Sequence, residues 1–163
     1  MKPRIFIGSS SEGLYVADYV KNYFSADYDC VIWNDNVFKY NKSFLETLLN
    51  SASLFDFGFL IFTKDDLAIV RDDVFEEARD NVIFEYGLFL GRLGVERAFI
   101  LAEEGVKIPS DFLGITLAQV SITNGADGRK AVVADLLDNE LLRLKSLIDD
   151  YVRLGHLAYC HQL

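Results

Sequence analysis

The chain has 163 residues, of which 51% are hydrophobic and 13% aromatic, enough for one domain with a full hydrophobic core and too many for a disordered chain. Its formal net charge of −9 disfavours a role on nucleic-acid polymers or anionic membranes, because both need clustered Lys and Arg. Cys30 and Cys160 form neither a disulfide framework nor a CxxC metal pair, and no apolar run reaches the length of a membrane span. We expect a cytoplasmic protein, since Met1 leads without a secretory leader into a strand-like run.

Five short apolar runs predict β-strands, and the patterns between them predict α-helices. The predicted strands are residues 4–8, 29–33, 57–63, 97–102 and 117–122, and the predicted helices are residues 12–24, 43–55, 82–93 and 129–154. Several strands are apolar nearly throughout, which is typical of a parallel sheet covered on both faces. The alternation predicts an α/β fold with a doubly wound sheet, in which ligands bind at the carboxyl ends of the strands.

The first predicted strand is followed by a loop of small residues, Gly8-Ser9-Ser10-Ser11-Glu12-Gly13, that enters a helix. Backbone N–H groups at a helix start favour an anion, so the loop is a candidate phosphate site. The same residues also fit a capping box between Ser9 and Glu12. The two interpretations are compatible, because the phosphate would be bound by backbone N–H groups.

Two further strand ends carry candidate residues. Trp33, at the end of the second predicted strand, is either a core anchor or a ring that stacks on a base or a pyridinium. Asp65 and Asp66 follow the third strand, but a phosphoacceptor site would need further carboxylates after the first strand, where only Glu12 is present. We therefore interpret the two aspartates as solvent-facing or turn-forming.

The most informative segment is the apolar helix pattern that contains Glu85. Its neighbours at a distance of three or four residues, Val82, Leu88 and Phe89, are all apolar, so the helix would hold the carboxylate away from water. Because desolvation disfavours the charged form, we expect the pKa of Glu85 to be raised. Such a carboxylate is a candidate functional group, and the alternative is a narrow polar stripe along the helix.

Two weaker candidates lie further along the chain. Ser110 and Asp111 follow the fourth predicted strand, where they either cap a short helical turn or hold a ribose diol. His156 and Cys160 have the i, i+4 spacing of a zinc-ligand pair, but a single pair near a terminus is a weak signal, so we expect no metal site.

The segments that carry these residues, taken together, resemble the bacterial TIR-like domain of anti-phage (CBASS) effectors, such as the TIR domain of bacterial TIR-STING proteins. They are RIFIGSSSEGLYVA, WNDNVF, DFGFLIFTKDD, ARDNVIFEYGLFLGRLGVERAFIL and IPSDFLGIT, within residues 4–122. The resemblance implies a flavodoxin-like, five-stranded parallel sheet with helices on both faces. It also implies cleavage of the bond between nicotinamide and ribose in NAD+, so NAD+ is a substrate and neither a cofactor nor a metal is expected.

The resemblance also implies roles for individual residues. Glu85 occupies the position of the family's catalytic Glu, and Tyr86 stands where Leu is more usual. The segment from Trp33 to Phe38 matches the start of a mobile loop that gates the site. The residues expected to contact NAD+ are Gly8, Ser9, Ser10, Trp33, Phe38, Arg79, Asn81 and Asp111.

Effectors of this family carry a further sensor domain that binds a cyclic dinucleotide and drives self-association into a filament. We therefore expect residues 1–155 to form the NAD-cleaving domain and residues 156–163 a tail or the start of a missing sensor domain. Two other functions stay open. One is a nucleoside deoxyribosyltransferase-like enzyme, which also uses a Glu at an anomeric carbon, and the other is a non-catalytic TIR module that acts by self-association.

Overall fold

The computed structural model describes residues 2–34, 44–112 and 115–155, and it consists of a central β-sheet covered by helices. The strands are β1 (Arg4–Ser9), β2 (Asp29–Asn34), β3 (Phe57–Phe62), β4 (Asp66–Val70), β5 (Asp73–Glu77), β6 (Ala98–Glu103), β7 (Leu117–Val120), β8 (Ile122–Asn124) and β9 (Lys130–Val132). The helices are α1 (Leu14–Phe24), α2 (Phe44–Ala52), α3 (Asp80–Leu93) and α4 (Ala134–Arg153), with a short 3-10 helix at Ser110–Phe112.

Five strands form one parallel sheet in the order β2-β1-β3-β6-β7. This is the strand order of flavodoxin-like folds, and it confirms the fold class predicted from the sequence. The chain leaves β1 on one side for β2 and returns to its other side for β3, so the strand order reverses at β1. The carboxyl end of β1 is therefore where a ligand site is expected.

The two faces of the sheet bury separate apolar layers, because successive residues of a strand point to opposite faces. One layer joins Ile5 and Ile7 of β1 to apolar residues of α1 and α4, and the other joins Phe6 and Leu60 to residues of α2 and α3. The buried residues of α4 follow a helical spacing: Leu137, Leu141, Leu144 and Ile148. Of the helices in the described ranges, none is both long enough and apolar enough to cross a membrane.

Helix α3 presents one buried face to the sheet. Its buried residues are Val82, Glu85, Tyr86, Phe89 and Leu93. Phe89 stacks on Phe6 of β1 with a distance of 4.2 Å between ring centroids, which fixes the helix against the sheet. The helix ends at Gly94, whose φ of 83° favours glycine. Glu85 is thus held in the middle of the helix face that packs on the sheet.

Two antiparallel hairpins, β4–β5 and β8–β9, were not predicted from the sequence. The predicted helix 129–154 is wrong at its start, because residues Lys130–Val132 pair with Ile122–Asn124 and α4 begins only at Ala134. In β4–β5 the turn is made by Arg71 and Asp72, with φ values of 51° and 68°. A turn of this kind is usually marked by Gly or Asn, so its signal in this sequence is weak.

The exposed side of α3 offers a test of its helical geometry at Gly87, where an added methyl group would meet no atom within 4 Å. Gly87→Ala is expected to raise the free energy of unfolding by about 0.5–1 kcal/mol, because alanine has the higher helix propensity. Chemical denaturation measures the change. Gly94→Ala is the matched variant. It places the same methyl at a φ of 83° and should lower the unfolding free energy by about 1–3 kcal/mol. Equal effects at both positions would contradict the described end of α3.

Candidate active site

The candidate site lies at the carboxyl end of β1, which α3 approaches from one face of the sheet. The carboxylate of Glu85 points from α3 toward this strand end, and the residue is only 1% exposed. A methyl group built on Gly8 would lie 2.9 Å from Glu85 Oε2. The carboxylate therefore packs directly against the backbone of β1, at the point where the strand order reverses.

Gly8 is required by this packing rather than by its backbone angles. The same methyl group would come within 2.5 Å of Leu60 Cδ1 and 2.9 Å of Phe6 Cε1, which are distances that real side chains do not tolerate. Only a residue without a side chain allows α3 to bring a carboxylate so close to the strand. Gly8 and Glu85 are both candidate site residues in the sequence, and the structure brings them into contact.

The loop after β1 is fixed by two hydroxyls that donate to one carboxylate. Ser10 Oγ donates to Asp65 Oδ2 at 2.6 Å, and Thr63 Oγ1 donates to the same carboxylate at 2.8 Å. The Gly13 N–H in turn donates to Ser10 Oγ at 3.1 Å. Ser10 and Thr63 are both buried. Asp65 thus ties the end of β3 to the loop after β1. It lies at the turn after β3, where its backbone N–H donates to the carbonyl of Thr63 at 2.9 Å, so its interpretation as a turn-forming residue holds and its side chain has a further role in connecting the two loops.

The predicted capping box between Ser9 and Glu12 is also wrong. Helix α1 begins at Leu14, two residues later than predicted, with Gly13 at the N-cap and no side chain bonded to it as a cap. The carboxylate of Glu12 is therefore too early in the chain to cap the helix, and it makes a different contact.

Glu12 accepts a hydrogen bond from Arg79 Nη2 at 2.7 Å. Arg79 Nε also lies 3.9 Å from a carboxylate oxygen of Asp66. The hydrogen bond to Glu12 raises the pKa of the Arg79 guanidinium above its usual range. Arg79, the residue directly before α3, is thus connected to the loop after β1. An anion bound by Arg79 would compete with Glu12 for its guanidinium.

The remaining predicted contact residues have different surroundings. Trp33 is buried in the core beside Phe6, with 5.7 Å between ring centroids. Asn81 is exposed in the first turn of α3, and Asp111 is exposed in the 3-10 helix after β6. Phe38 lies outside the described residues. The structure therefore brings together Gly8, Ser9, Ser10 and Glu85 at the end of β1, with Trp33 packed in the core and Asn81 and Asp111 on the surface.

Two buried hydroxyls next in sequence to Gly8 and Glu85 have no hydrogen-bond partner in the described part of the chain. They are Ser9 Oγ and the phenol of Tyr86. The Tyr86 ring packs edge-on against Phe62 and Phe112, with centroid distances of 6.0 and 4.8 Å. Burial raises the pKa of Tyr86 to about 12, so the phenol is a neutral donor at physiological pH.

A cavity of about 490 Å³ opens on the α1 side of the same strand ends. It is lined by Glu12, Tyr15, Thr63, Asp65, Gly128, Arg129 and Lys130, and Glu85 does not line it. Burial and the carboxylates of Glu103 and Asp65 raise the pKa of Tyr15 to about 12. Arg129 and Lys130 bring positive charge to the rim. The sequence pattern places both residues in the predicted helix 129–154, so it does not indicate them as site residues.

No cluster of three or more His, Cys, Asp or Glu side chains that could hold a metal ion is present within residues 2–34, 44–112 and 115–155. The pair His156 and Cys160 lies outside these ranges. The described residues at the end of β1 supply a buried carboxylate, backbone N–H groups and hydroxyls.

A flavodoxin-like sheet with a carboxylate buried at the reversal of strand order defines the class of this domain, and comparison with known families identifies it more closely. Residues 4–122 match the model of the family described as CAP12/Pycsar effector protein, TIR domain. The chain belongs to this family of TIR domains, which confirms the resemblance drawn from the sequence.

Individual relatives agree with the family assignment. The chain is 55% identical over 158 residues to CD-NTase-associated protein 12 of Lachnospiraceae bacterium (strain RUG226), across 97% of this chain and 50% of the relative. The chain is 52% identical over 158 residues to the CD-NTase-associated protein 12 of Flavobacterium daejeonense, across 97% of this chain and 49% of that relative. It is 39% identical over 127 residues to Pycsar effector protein XpPycTIR of Xanthomonas perforans, across 76% of this chain and 42% of that relative. The chain spans about half the length of the curated relatives it matches.

The close approach of Glu85 to β1 predicts that Gly8 cannot carry a side chain. Gly8→Ala is expected to lower the free energy of unfolding by about 1–3 kcal/mol, because the methyl group overpacks the strand end. Gly87→Ala adds the same methyl in open space and serves as the control. In a Glu85→Ala background the penalty at Gly8 should shrink, which a double-mutant cycle measures. An unchanged penalty in that background would show that the two residues are not in contact.

Because the phenol of Tyr86 has no hydrogen-bond partner within residues 2–34, 44–112 and 115–155, we expect its hydroxyl to contribute nothing to stability. Tyr86→Phe is expected to leave the free energy of unfolding unchanged or to raise it by up to about 1 kcal/mol, because burying an unbonded hydroxyl is unfavourable. Tyr28→Phe is the matched control, because the Tyr28 hydroxyl donates to Asp149. This substitution should lower the free energy of unfolding by about 0.5–1.5 kcal/mol. Thermal unfolding of both variants measures the two changes. A decrease in the free energy of unfolding for Tyr86→Phe that is as large as for Tyr28→Phe would show that the Tyr86 phenol has a hydrogen-bond partner.

Proposed function

We propose that this domain is an NAD+ glycohydrolase that cleaves the bond between nicotinamide and ribose, with Glu85 as the catalytic residue. The observation that supports this most is the carboxylate itself, 1% exposed and packed against Gly8 at the carboxyl end of β1. A carboxylate is seldom buried in an apolar helix face without a task. Membership of the effector TIR family supports the same function.

The reaction needs a negative charge beside the ribose carbon that loses its base. When the bond breaks, its electron pair goes to the pyridinium nitrogen, so nicotinamide leaves as a neutral molecule and the ribose develops oxocarbenium character. An ionised Glu85 stabilises that positive charge through a medium of low dielectric. It then accepts the proton of the attacking water, which gives ADP-ribose and nicotinamide. Because the leaving group is neutral, the step requires no metal.

The pyrophosphate of NAD+ needs its own binding groups, because the chain carries a net charge of −9. The backbone N–H groups of the loop after β1 are the proposed donors, and the Ser10–Asp65 hydrogen bond holds that loop in place. Arg79 is the proposed cationic partner. It would exchange its hydrogen bond to Glu12 for one to a phosphate oxygen, so NAD+ binding would release Glu12.

The biological role follows from the relatives. Their names associate them with CD-NTases and with Pycsar systems. We propose that the domain depletes NAD+ in anti-phage defence, and that a cyclic-nucleotide sensor in the remaining half of such proteins activates it through self-association. NAD+ and a second copy of the domain are then its partners, and no cofactor is needed.

Glu85→Gln tests the proposed chemistry, because the amide keeps the shape of the side chain and removes its charge. Nicotinamide release from NAD+, followed by chromatography, is expected to fall by a factor of about 10²–10³ or more, while the circular dichroism spectrum stays unchanged. Unchanged turnover in this variant would overturn the assignment of Glu85.

The control is Glu104→Gln, which removes an exposed carboxylate just after β6 and should leave the rate unaltered. Free nucleosides and acceptor bases, offered in place of NAD+, separate the alternatives. Base exchange between nucleosides without nicotinamide release would indicate a deoxyribosyltransferase-like enzyme. No turnover of either substrate at any protein concentration would favour a non-catalytic self-association module.

A further inference from the structure

The cavity beside α1 is a second concave site at the carboxyl ends of the strands. Its volume of about 490 Å³ falls in the range of small-molecule sites, which is about 300–1,000 Å³. Tyr15 of its wall packs on the apolar layer that contains Ile7, and Ile122 and Val132 of the β8–β9 hairpin pack on the same layer. Glu85 lies on α3, which packs on the other face of the sheet. The cavity is therefore on the opposite face from the proposed cleavage chemistry.

Part of the cavity wall is the turn between β8 and β9, which is fixed by hydrogen bonds. The Gly125 N–H donates to the carbonyl of Arg129 at 2.8 Å, and the Gly128 N–H donates to the carbonyl of Gly125 at 2.9 Å. The Arg129 N–H donates to Asp127 Oδ1 at 3.0 Å. Gly128 has a φ of 77°, which favours glycine. The backbone that carries Arg129 and Lys130 thus has a defined position beside the cavity.

The two cations of this wall have little counter-charge within the described part of the chain. Lys130 forms no ion pair with a residue in the ranges 2–34, 44–112 and 115–155. Arg129 Nε lies 3.5 Å from a carboxylate oxygen of Asp127, but these side chains are 89% and 61% exposed, so water screens the pair. In a chain with a net charge of −9, two neighbouring cations at a cavity favour an anionic group of a ligand.

Another part of the wall carries hydrogen-bond acceptors and an aromatic ring. Glu12 accepts a hydrogen bond from Arg79, and Asp65 accepts hydrogen bonds from two hydroxyls of the neighbouring segments. Because a carboxylate has about four acceptor positions, both can also accept from hydroxyl groups of a ligand. Tyr15 supplies the ring, and burial and neighbouring carboxylates raise the pKa of its phenol to about 12, so the phenol is a neutral donor.

These wall groups match the parts of a nucleoside 5′-phosphate. A phosphate accepts charge-assisted hydrogen bonds from Arg and Lys, a ribose diol donates to carboxylates, and a base packs on an aromatic ring. We propose that the cavity binds a nucleoside monophosphate. Its phosphate accepts hydrogen bonds from Arg129 and Lys130. The ribose hydroxyls donate to Glu12 and Asp65, and the base packs beside Tyr15.

The proposed nucleotide site is connected to the loop after β1. Glu12 belongs to that loop, and Asp65 bonds to Ser10 within it. A nucleotide in the cavity would therefore contact both carboxylates that tie the loop to its neighbours. The required chemistry is present in a free nucleotide and in the adenylate half of NAD+, and the test distinguishes these two sources. Binding to the cavity does not depend on the cleavage of NAD+.

Isothermal titration calorimetry of the 163-residue chain tests the site with AMP, adenosine and inorganic phosphate as separate probes. AMP is expected to bind saturably, and adenosine and phosphate at least about tenfold more weakly, because each lacks one part of the recognised structure. Lys130→Glu should weaken AMP binding at least about tenfold, because it reverses a charge beside the phosphate. Arg129→Gln has the same expectation and replaces Lys130→Glu if the charge reversal disturbs β9.

Two further titrations give the control and the source of the nucleotide. Arg153→Glu makes the same change of net charge at an exposed residue of α4 that does not line the cavity, so it should bind AMP like the wild type. Glu85→Gln is titrated with AMP in saturating NAD+. An unchanged affinity for AMP indicates a free nucleotide at a separate site, whereas loss of AMP binding indicates that the adenylate half of NAD+ occupies the cavity.

The proposal is overturned by any of four results. The wild type does not bind AMP saturably, or inorganic phosphate binds as tightly as AMP, which would mean that the nucleoside part is not recognised. Folded Lys130→Glu and Arg129→Gln bind AMP as tightly as the wild type, or Arg153→Glu weakens AMP as much as Lys130→Glu does. A failure to release nicotinamide would overturn the proposed function instead, and it would leave all four results measurable.

Discussion

The contact between the Glu85 carboxylate and the backbone of β1 at Gly8 is the constraint on which this site depends. It requires a strand position without a side chain, a helix face that is apolar on both sides of the carboxylate, and a sheet whose strand order reverses at that strand. The stacking of Phe89 on Phe6 holds α3 at this distance. A carboxylate placed in this way has little solvent to screen it, so its ionised form would act strongly on a ligand bound at the strand end.

Around this contact, polar groups connect the surrounding loops. Asp65 fixes the loop after β1 through Ser10 and Thr63, and Arg79 connects the start of α3 to Glu12 of the same loop. The two connections differ in kind. The first joins buried hydroxyls to one carboxylate and is a permanent part of the fold, whereas the second is a partly exposed ion pair that solvent and salt weaken. The first is suited to holding the site rigid and the second to exchanging partners when an anion binds.

The family assignment and the cavity beside α1 concern different parts of the chain. Membership of the CAP12/Pycsar effector TIR family covers the sheet and its site, and the matched relatives are about twice as long as this chain. The cavity is lined in part by Arg129 and Lys130, which lie beyond the matched residues 4–122.

The sequence by itself determined the five parallel strands, the four helices between and after them, and the burial of Glu85, because each of these depends on apolar spacing within a short segment. It also indicated the loop after β1 as the place for a site. Only the tertiary structure decided that Glu85 lies against Gly8, that Asp65 bonds to Ser10, and that Arg79 pairs with Glu12, since these partners are separated by more than fifty residues in each case. The hairpins were missed because one turn uses Arg71 and Asp72 instead of glycine and because β9 is a three-residue strand directly before α4. The apolar spacing within a segment predicts which face of a helix or strand is buried. The partner of a polar side chain depends instead on strand order and helix placement, and these cannot be read from any single segment.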